Sequence, residues 1–144
     1  MVSADGKRSK SHGVRAEVIK TQARAMGIPI IQQPTKVGKY ENSFRIMLRR
    51  FKGEGITGGI FGDIDFNEHR EWVERVCKSE EINAYLPLWM ESQDKLIDEF
   101  IEACFRAFII ATQDKLLVEK WLGRILDKEA LNELKEISKD SELT

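Results

Sequence analysis

"GGIFGDIDFNEHREWVERVC", residues 58–77, decides how this chain folds. It opens as an apolar run and closes as an amphipathic helix. Trp72, Val73, Val76 and Cys77 recur at helical spacing, which predicts a helix over 67–79 with Asn67 or Asp65 as its N-cap. The preceding "ITGGIF" (56–61) reads as a strand, and its two glycines suggest close backbone approach. A strand running into a helix is the first half of a βαβ unit. Asp63, Asp65, Glu68, His69, Arg70 and Glu74 crowd the junction.

Outward from this stretch the same alternation continues. A helix is predicted over 14–26, with Val14, Val18, Ile19 and Met26 on its apolar side and Gly27 as its stop. "IPIIQ" (28–32) reads as a strand and 33–40 as a polar loop. Phe44, Met47, Leu48 and Phe51 predict a helix over 41–52 that ends at "GEG". "INAYLPL" (82–88) reads as a strand stopped by Pro87. A helix over 92–104 follows, capped by Ser92, with Leu96, Ile97, Phe100, Ile101 and Cys104 on one side. "RAFIIAT" (106–112) reads as a strand. A looser stretch holds "EKWLGR" (119–124). A last helix over 127–138 carries Ala130, Leu131, Leu134 and Ile137.

Strands alternating with helices imply an α/β fold, an open and mostly parallel Rossmann-like sheet with right-handed crossovers. Its short apolar strands read as covered on both faces. The expected organisation is a polar segment 1–11, one α/β domain 12–138 and a tail 139–144.

The chain has 144 residues, 42% apolar and 33% charged, with a net charge of −1. That is the balance of a soluble domain, and bulk charge selects no partner. Residues 1–24 carry six Lys or Arg against two acids, and 127–144 six acids against three Lys. No apolar run is long enough for a membrane span and no signal peptide is legible, so a cytoplasmic location is expected. Cys77 and Cys104 read as reduced core thiols. Two His and two lone Cys make no zinc site, so no metal ligands are assigned. Lys39, Arg45, Arg49, Arg50 and Lys52 give one basic helix, but no nucleic-acid motif accompanies it, and nucleic acid is not an expected partner.

In open α/β sheets ligands bind beyond the carboxyl ends of the strands, where Gly62 and Asp63 sit. Gly62 would let the backbone approach a ligand, Asp63 would point a carboxylate into the crevice, and the next helix would add N–H donors. Arg70–Glu74 and Glu71–Arg75 stand at i, i+4 spacing. The same residues fit ordinary surface ion pairs and a capping carboxylate equally well. "ADGKRSKS" (4–11) is not a phosphate loop, and neither G-x-G-x-x-G nor G-x-S-x-G occurs.

Several stretches in series resemble one family. They are "HGVR" (12–15), "QARAMGIPI" (22–30), "GGIFGDI" (58–64), "HREWVERVC" (69–77), "LPLW" (86–89), "EFIEACFRAFII" (99–110) and "WLGR" with Asp127 (121–127). In this order and spacing they resemble the diphthine–ammonia ligase family, N-type ATP pyrophosphatases of the adenine nucleotide α-hydrolase-like group, in its bacterial form. The resemblance implies an ATP-dependent amide ligase. A carboxylate is adenylated, pyrophosphate leaves, and ammonia displaces AMP. It also implies ATP and Mg2+ as cofactors and a protein or small-molecule carboxylate as acceptor, which is the diphthine of elongation factor 2 in the characterised branch.

By matching positions, Asp63, Arg70 and Glu74 would be catalytic. His12, Gly62, His69, Cys77, Trp89, Gly123 and Arg124 would bind nucleotide or acceptor. The family's S-G-G-K-D-S loop has no counterpart here, which implies an N-terminally truncated sheet. A rearranged packing, a homodimer or an origin in a longer protein would accommodate that gap. A non-catalytic paralogue binding a nucleotide or a protein therefore remains the alternative. Where the family has glycine, Glu81 and Cys104 stand just after helix ends, positions suited to a left-handed cap.

Overall fold

The computed structural model describes residues 1–112 and 119–141, and the chain divides into two compact units, Met1–Trp89 and Met90–Thr144. The first unit holds α1 (Ala16–Ala25), α2 (Tyr40–Gly53), β1 (Gly58–Ile60), α3 (Asn67–Ser79) and β2 (Asn83–Tyr85). β1 and β2 pair in parallel, Gly58 opposite Asn83 and Ile60 opposite Tyr85, with α3 as the crossover between them. The result is mixed α/β with a small open parallel sheet, consistent with a Rossmann-like unit. The pairing extends one bond beyond each end, Asn83 N–H to the Thr57 carbonyl and Phe61 N–H to the Tyr85 carbonyl.

The core sits where α2 and α3 meet the sheet. Leu48, Val73, Val76, Cys77 and Ile82 are buried together, with Phe44, Phe61, Trp72 and Ala84 packed against them. Each buried Leu, Val or Ile side chain contributes about 1.5–3 kcal/mol of transfer free energy. Gly58 shows why a strand here carries glycine. A Cβ at that position would lie 2.6 Å from Cε2 of Tyr85 on the paired strand.

Helix ends follow one rule. After α1, Gly27 takes φ +67° and Ile28 N–H reaches back to the Ala23 carbonyl. Gly55 closes α2 in the same way, with φ +86° and Ile56 N–H on Phe51 O. Glu81 and Cys104 close α3 and α4 (Gln93–Glu102) identically at φ 57° and 61°, with Ile82 N–H on Cys77 O and Phe105 N–H on Phe100 O. The two positions read as left-handed caps are such caps, occupied by residues with a Cβ.

Several expectations are corrected. No strand forms at 28–32. Ile28, Ile30 and Ile31 are exposed, because no described strand runs alongside to take up their backbone groups, and a single parallel bridge joins Val2 to Pro34 instead. Residues 106–112 form no parallel strand. Phe108 bridges Ile125 in antiparallel sense, with Ile109 N–H on Arg124 O and Leu126 N–H on Ala107 O. Nor are the observed strands covered on both faces, since Ile60 is 79% and Tyr85 56% exposed. On α1 the buried positions are Ala16 and Ala23, while Val18 and Met26 face out. The N-cap residue of α3 is Phe66 and not Asn67 or Asp65. Cys104 is exposed and only Cys77 is a core thiol. Arg75 pairs with Glu41 on α2 at 2.7 Å, not with Glu71.

Residues 1–15 fold back on themselves. Val2 is buried, bridges Ser9 in antiparallel sense and exchanges hydrogen bonds with Gln33 and Thr35. The second unit holds α4, the 107–126 bridge, a short 3-10 turn at Glu119–Trp121 and α5 (Lys128–Ser141). Ser92 Oγ caps α4 as expected, accepting from Lys95 N–H. Asp127 Oδ1 accepts from Ala130 N–H at 2.9 Å at the start of α5. Among its described residues Trp121, Ala130 and Leu131 are buried. Of the 139–144 tail, residues 142–144 lie outside the described residues. Among the described residues no helix is long and apolar enough to cross a membrane.

Candidate functional site

β1 ends at Ile60, and the chain then turns through Phe61, Gly62 and Asp63 before α3 begins at Asn67. This carries Asp63 to the carboxyl edge of the parallel pair, where ligands of open α/β sheets lie. A pocket of about 450 Å³ opens there, lined by Ser11, Tyr40, Phe44, Phe61, Asp63, His69, Trp72 and Val73. Four of its walls are aromatic. Phe44 and Trp72 have ring centroids 5.1 Å apart, Tyr40 and Trp72 5.7 Å, and Phe44 and Phe61 6.3 Å. Such walls receive a planar or apolar group.

The titratable groups facing each other in the pocket are Asp63 and His69. His69 Nδ1 lies 3.2 Å from Asp63 Oδ1. Phe66 meets the imidazole edge-on at 4.8 Å between ring centroids. The contact holds because His69 stands one turn into α3 and Asp63 stands six residues before it, across the entry loop.

Arg70, the next residue on α3, donates to Glu74 at 2.7 Å and lays its guanidinium over Trp89 at 4.9 Å. The Arg70–Glu74 pair expected from spacing is therefore present, with Trp89 as a third member. His12 lies exposed on the N-terminal turn, where its N–H reaches Ser9 Oγ at 3.4 Å. Gly62 lies in open surroundings, where an added Cβ would meet nothing within 4 Å. Cys77 is fully buried in the core, and burial raises its thiol pKa, so the structure gives it packing and not a wall of the pocket. Gly123 and Arg124 belong to the second unit. There Arg124 forks onto both oxygens of Glu133, at 2.5 and 2.7 Å, and caps the Trp121 ring at 4.6 Å.

Sequence reasoning missed the residue that braces the pocket. Glu41 accepts from Arg75 (2.7 and 3.1 Å), Arg45 (2.8 and 3.1 Å) and the Trp72 indole N–H (3.0 Å). Arg75 first, then Arg45 and Trp72, hold its carboxyl down to about 2. Glu80, buried at the end of α3, takes Arg45 and Arg49, with Arg49 the main cause of its lowered pKa. Arg50 pairs with Glu54 and Lys52 with Glu81. Four cations of the basic helix thus face acids. Tyr40 and Phe44 stand i, i+4 on α2, a local signal for an aromatic wall, but the sequence reads Phe44 as core and places Tyr40 in the loop expected over 33–40.

Among the described residues no three His, Cys, Asp or Glu side chains converge as a metal site. No curated protein matches the chain. Two family models do. The N-terminal domain of diphthamide synthase matches residues 1–84 and the C-terminal domain of diphthamide synthase matches residues 92–143. With both domain models matched in order, the chain belongs to the diphthamide synthase family, the diphthine–ammonia ligase-like group.

Proposed function

We propose that this chain serves an ATP-dependent amide ligase of the diphthine–ammonia ligase type, with an adenine nucleotide α-hydrolase-like fold and a cytoplasmic location. The reaction joins ammonia to a carboxylate through an acyl-adenylate, releasing pyrophosphate and then AMP. The acceptor carboxylate belongs to a protein or a small molecule. One observation carries the reading: in a chain of this family, an aromatic pocket with an Asp63–His69 pair opens at the carboxyl edge of the parallel strands.

The chemistry of the lining assigns parts. Tyr40, Phe44 and Trp72 offer ring faces to a purine. No lysine or arginine lines the pocket, so its aromatic side takes the base of the nucleotide and the Asp63–His69 side faces the acyl carbon. Arg70, its guanidinium over the Trp89 ring, is the cation nearest to Asp63 and His69 in sequence and the candidate to offset charge on the acyl-adenylate.

Calorimetric titration with ATP–magnesium and with AMP tests this. Both nucleotides should bind with similar affinity, because the shared base makes the contacts, and Trp72→Ala should abolish both. Absence of binding at millimolar nucleotide refutes it. The lack of a basic lining favours a second reading, a non-catalytic module that binds the base or a partner. Binding without acceptor-dependent release of AMP and pyrophosphate would select that reading.

A further inference from the structure

We propose that His69 is the proton acceptor of the amination step and that Asp63 is its positioning residue. This reverses the expectation of Asp63 as the catalytic group and His69 as a binding group. The identity of the proton rests on the ligase reading above; the pair itself does not.

Asp63 Oδ1 lies 3.2 Å from His69 Nδ1, and a carboxylate can only accept. In the neutral imidazole the proton must then sit on Nδ1. That leaves the lone pair on Nε2. The ring lines the pocket while its side chain is 66% exposed, so the basic nitrogen is open to a ligand. Phe66, edge-on to the imidazole, restricts ring rotation about the Asp63 contact. A carboxylate that fixes one tautomer and leaves the other nitrogen free is the arrangement of a general base.

The ammonia lone pair attacks the acyl carbon, and the C–N bond forms. The nitrogen, now bearing a positive charge, gives one proton to His69 Nε2. The carbonyl re-forms as the C–O bond to AMP breaks, and AMP leaves with that electron pair. The product is the amide, with an imidazolium whose Nδ1–H still faces the Asp63 carboxylate. No other side chain lining the pocket carries a free nitrogen lone pair; its other polar groups are Ser11, Tyr40, Asp63 and the Trp72 N–H, which Glu41 occupies.

The chain has only two histidines, so the test is direct. Long-range proton–nitrogen correlation of the imidazoles is recorded on the 15N-labelled full chain at a pH where both rings are neutral. His69 should show the Nδ1–H pattern, assigned by its loss in His69→Gln. In Asp63→Asn the new amide can donate to Nδ1, and His69 should switch to the Nε2–H pattern. Asp63→Glu should restore Nδ1–H in part. An Nε2–H pattern for His69 in the unmodified chain overturns the proposal without reliance on any variant.

A second readout follows the reaction with ATP, ammonium and a carboxylate acceptor. In His69→Gln amide formation should fall about 100-fold or more relative to acyl-adenylate formation, read as pyrophosphate release. Equal amide formation in His69→Gln and the unmodified chain overturns the base role. An Nδ1–H pattern in a chain that never releases pyrophosphate supports the pair and sinks the ligase reading instead.

Discussion

Replacing Cys104 by glycine should stabilise the second unit. Cys104 closes α4 at φ +61°, in the left-handed region, with its own N–H on Ile101 O and the next N–H on Phe100 O. A Cβ in that conformation costs about 1–2 kcal/mol. Glycine removes this strain but gives the unfolded chain more freedom, worth about 0.4–1 kcal/mol. The balance is a gain of about 1 kcal/mol, roughly a fivefold change in the opening equilibrium. The side chain adds little against this, since Cys104 is exposed and its sulfur makes one weak contact, 3.7 Å to Glu102 O. Amide hydrogen exchange of α4 residues 96–101 is the assay, because it reads opening of that helix alone. Cys104→Gly should slow exchange about fivefold. Cys104→Ala, which loses the thiol and keeps the Cβ, should change little, and Cys104→Asn should fall between. Exchange in Cys104→Gly as fast as in Cys104→Ala would refute the strain argument.

Three further outcomes are expected. Glu41 is depressed to about 2 from an ordinary value near 4.5, so the stability it contributes is fully present above about 4.5 and is lost as pH falls through about 2. The urea midpoint of the first unit should fall across that window, and Glu41→Gln should flatten the fall; parallel curves for the two proteins would contradict the assignment. Gly58→Ala should destabilise the first unit by about 1–3 kcal/mol, because its Cβ meets the Tyr85 ring at 2.6 Å. Gly58→Ala with Tyr85→Ala should cost less than the sum of the two single changes in a double-mutant cycle. Thiol titration should give one fast sulfur, Cys104, and one that reacts only on unfolding, Cys77, which is buried and has a raised pKa.

Helices were legible to within a residue or two where apolar spacing was dense. Expected 67–79 and 41–52 are Asn67–Ser79 and Tyr40–Gly53. The left-handed ends at Glu81 and Cys104 were legible through a mismatch between residue type and place. Strands were not. "IPIIQ" and "RAFIIAT" have strand composition, but a strand is defined by a neighbour, and composition does not say whether one is present. The cap of α3 was missed because the helix opens at Phe66, whose carbonyl accepts from His69 and Arg70 and whose side chain makes no cap bond, so residue type does not mark the boundary.

In the site, the cluster at 63–74 was legible as a cluster, and the i, i+4 rule found Arg70–Glu74. It failed for Glu71–Arg75, because Glu41 on α2 already faces Arg75 together with Arg45 and Trp72. Such a hub joins positions more than thirty apart in sequence, which no local pattern can signal. The aromatic wall was invisible for a related reason. Phe44 and Trp72 read as core by helical spacing, Tyr40 falls in the loop expected over 33–40, and only the fold brings the three together at one pocket.

The three tryptophans occupy three separate settings. Trp72 forms a wall of the pocket and donates to Glu41, Trp89 lies under the Arg70 guanidinium, and Trp121 is buried in the second unit beneath Arg124. Replacing two of them at a time by phenylalanine turns the chain into three single-colour instruments. Emission from Trp72 then follows occupancy of the pocket, emission from Trp89 follows the charge parked on its ring, and emission from Trp121 follows the folding of the second unit, each without an added label.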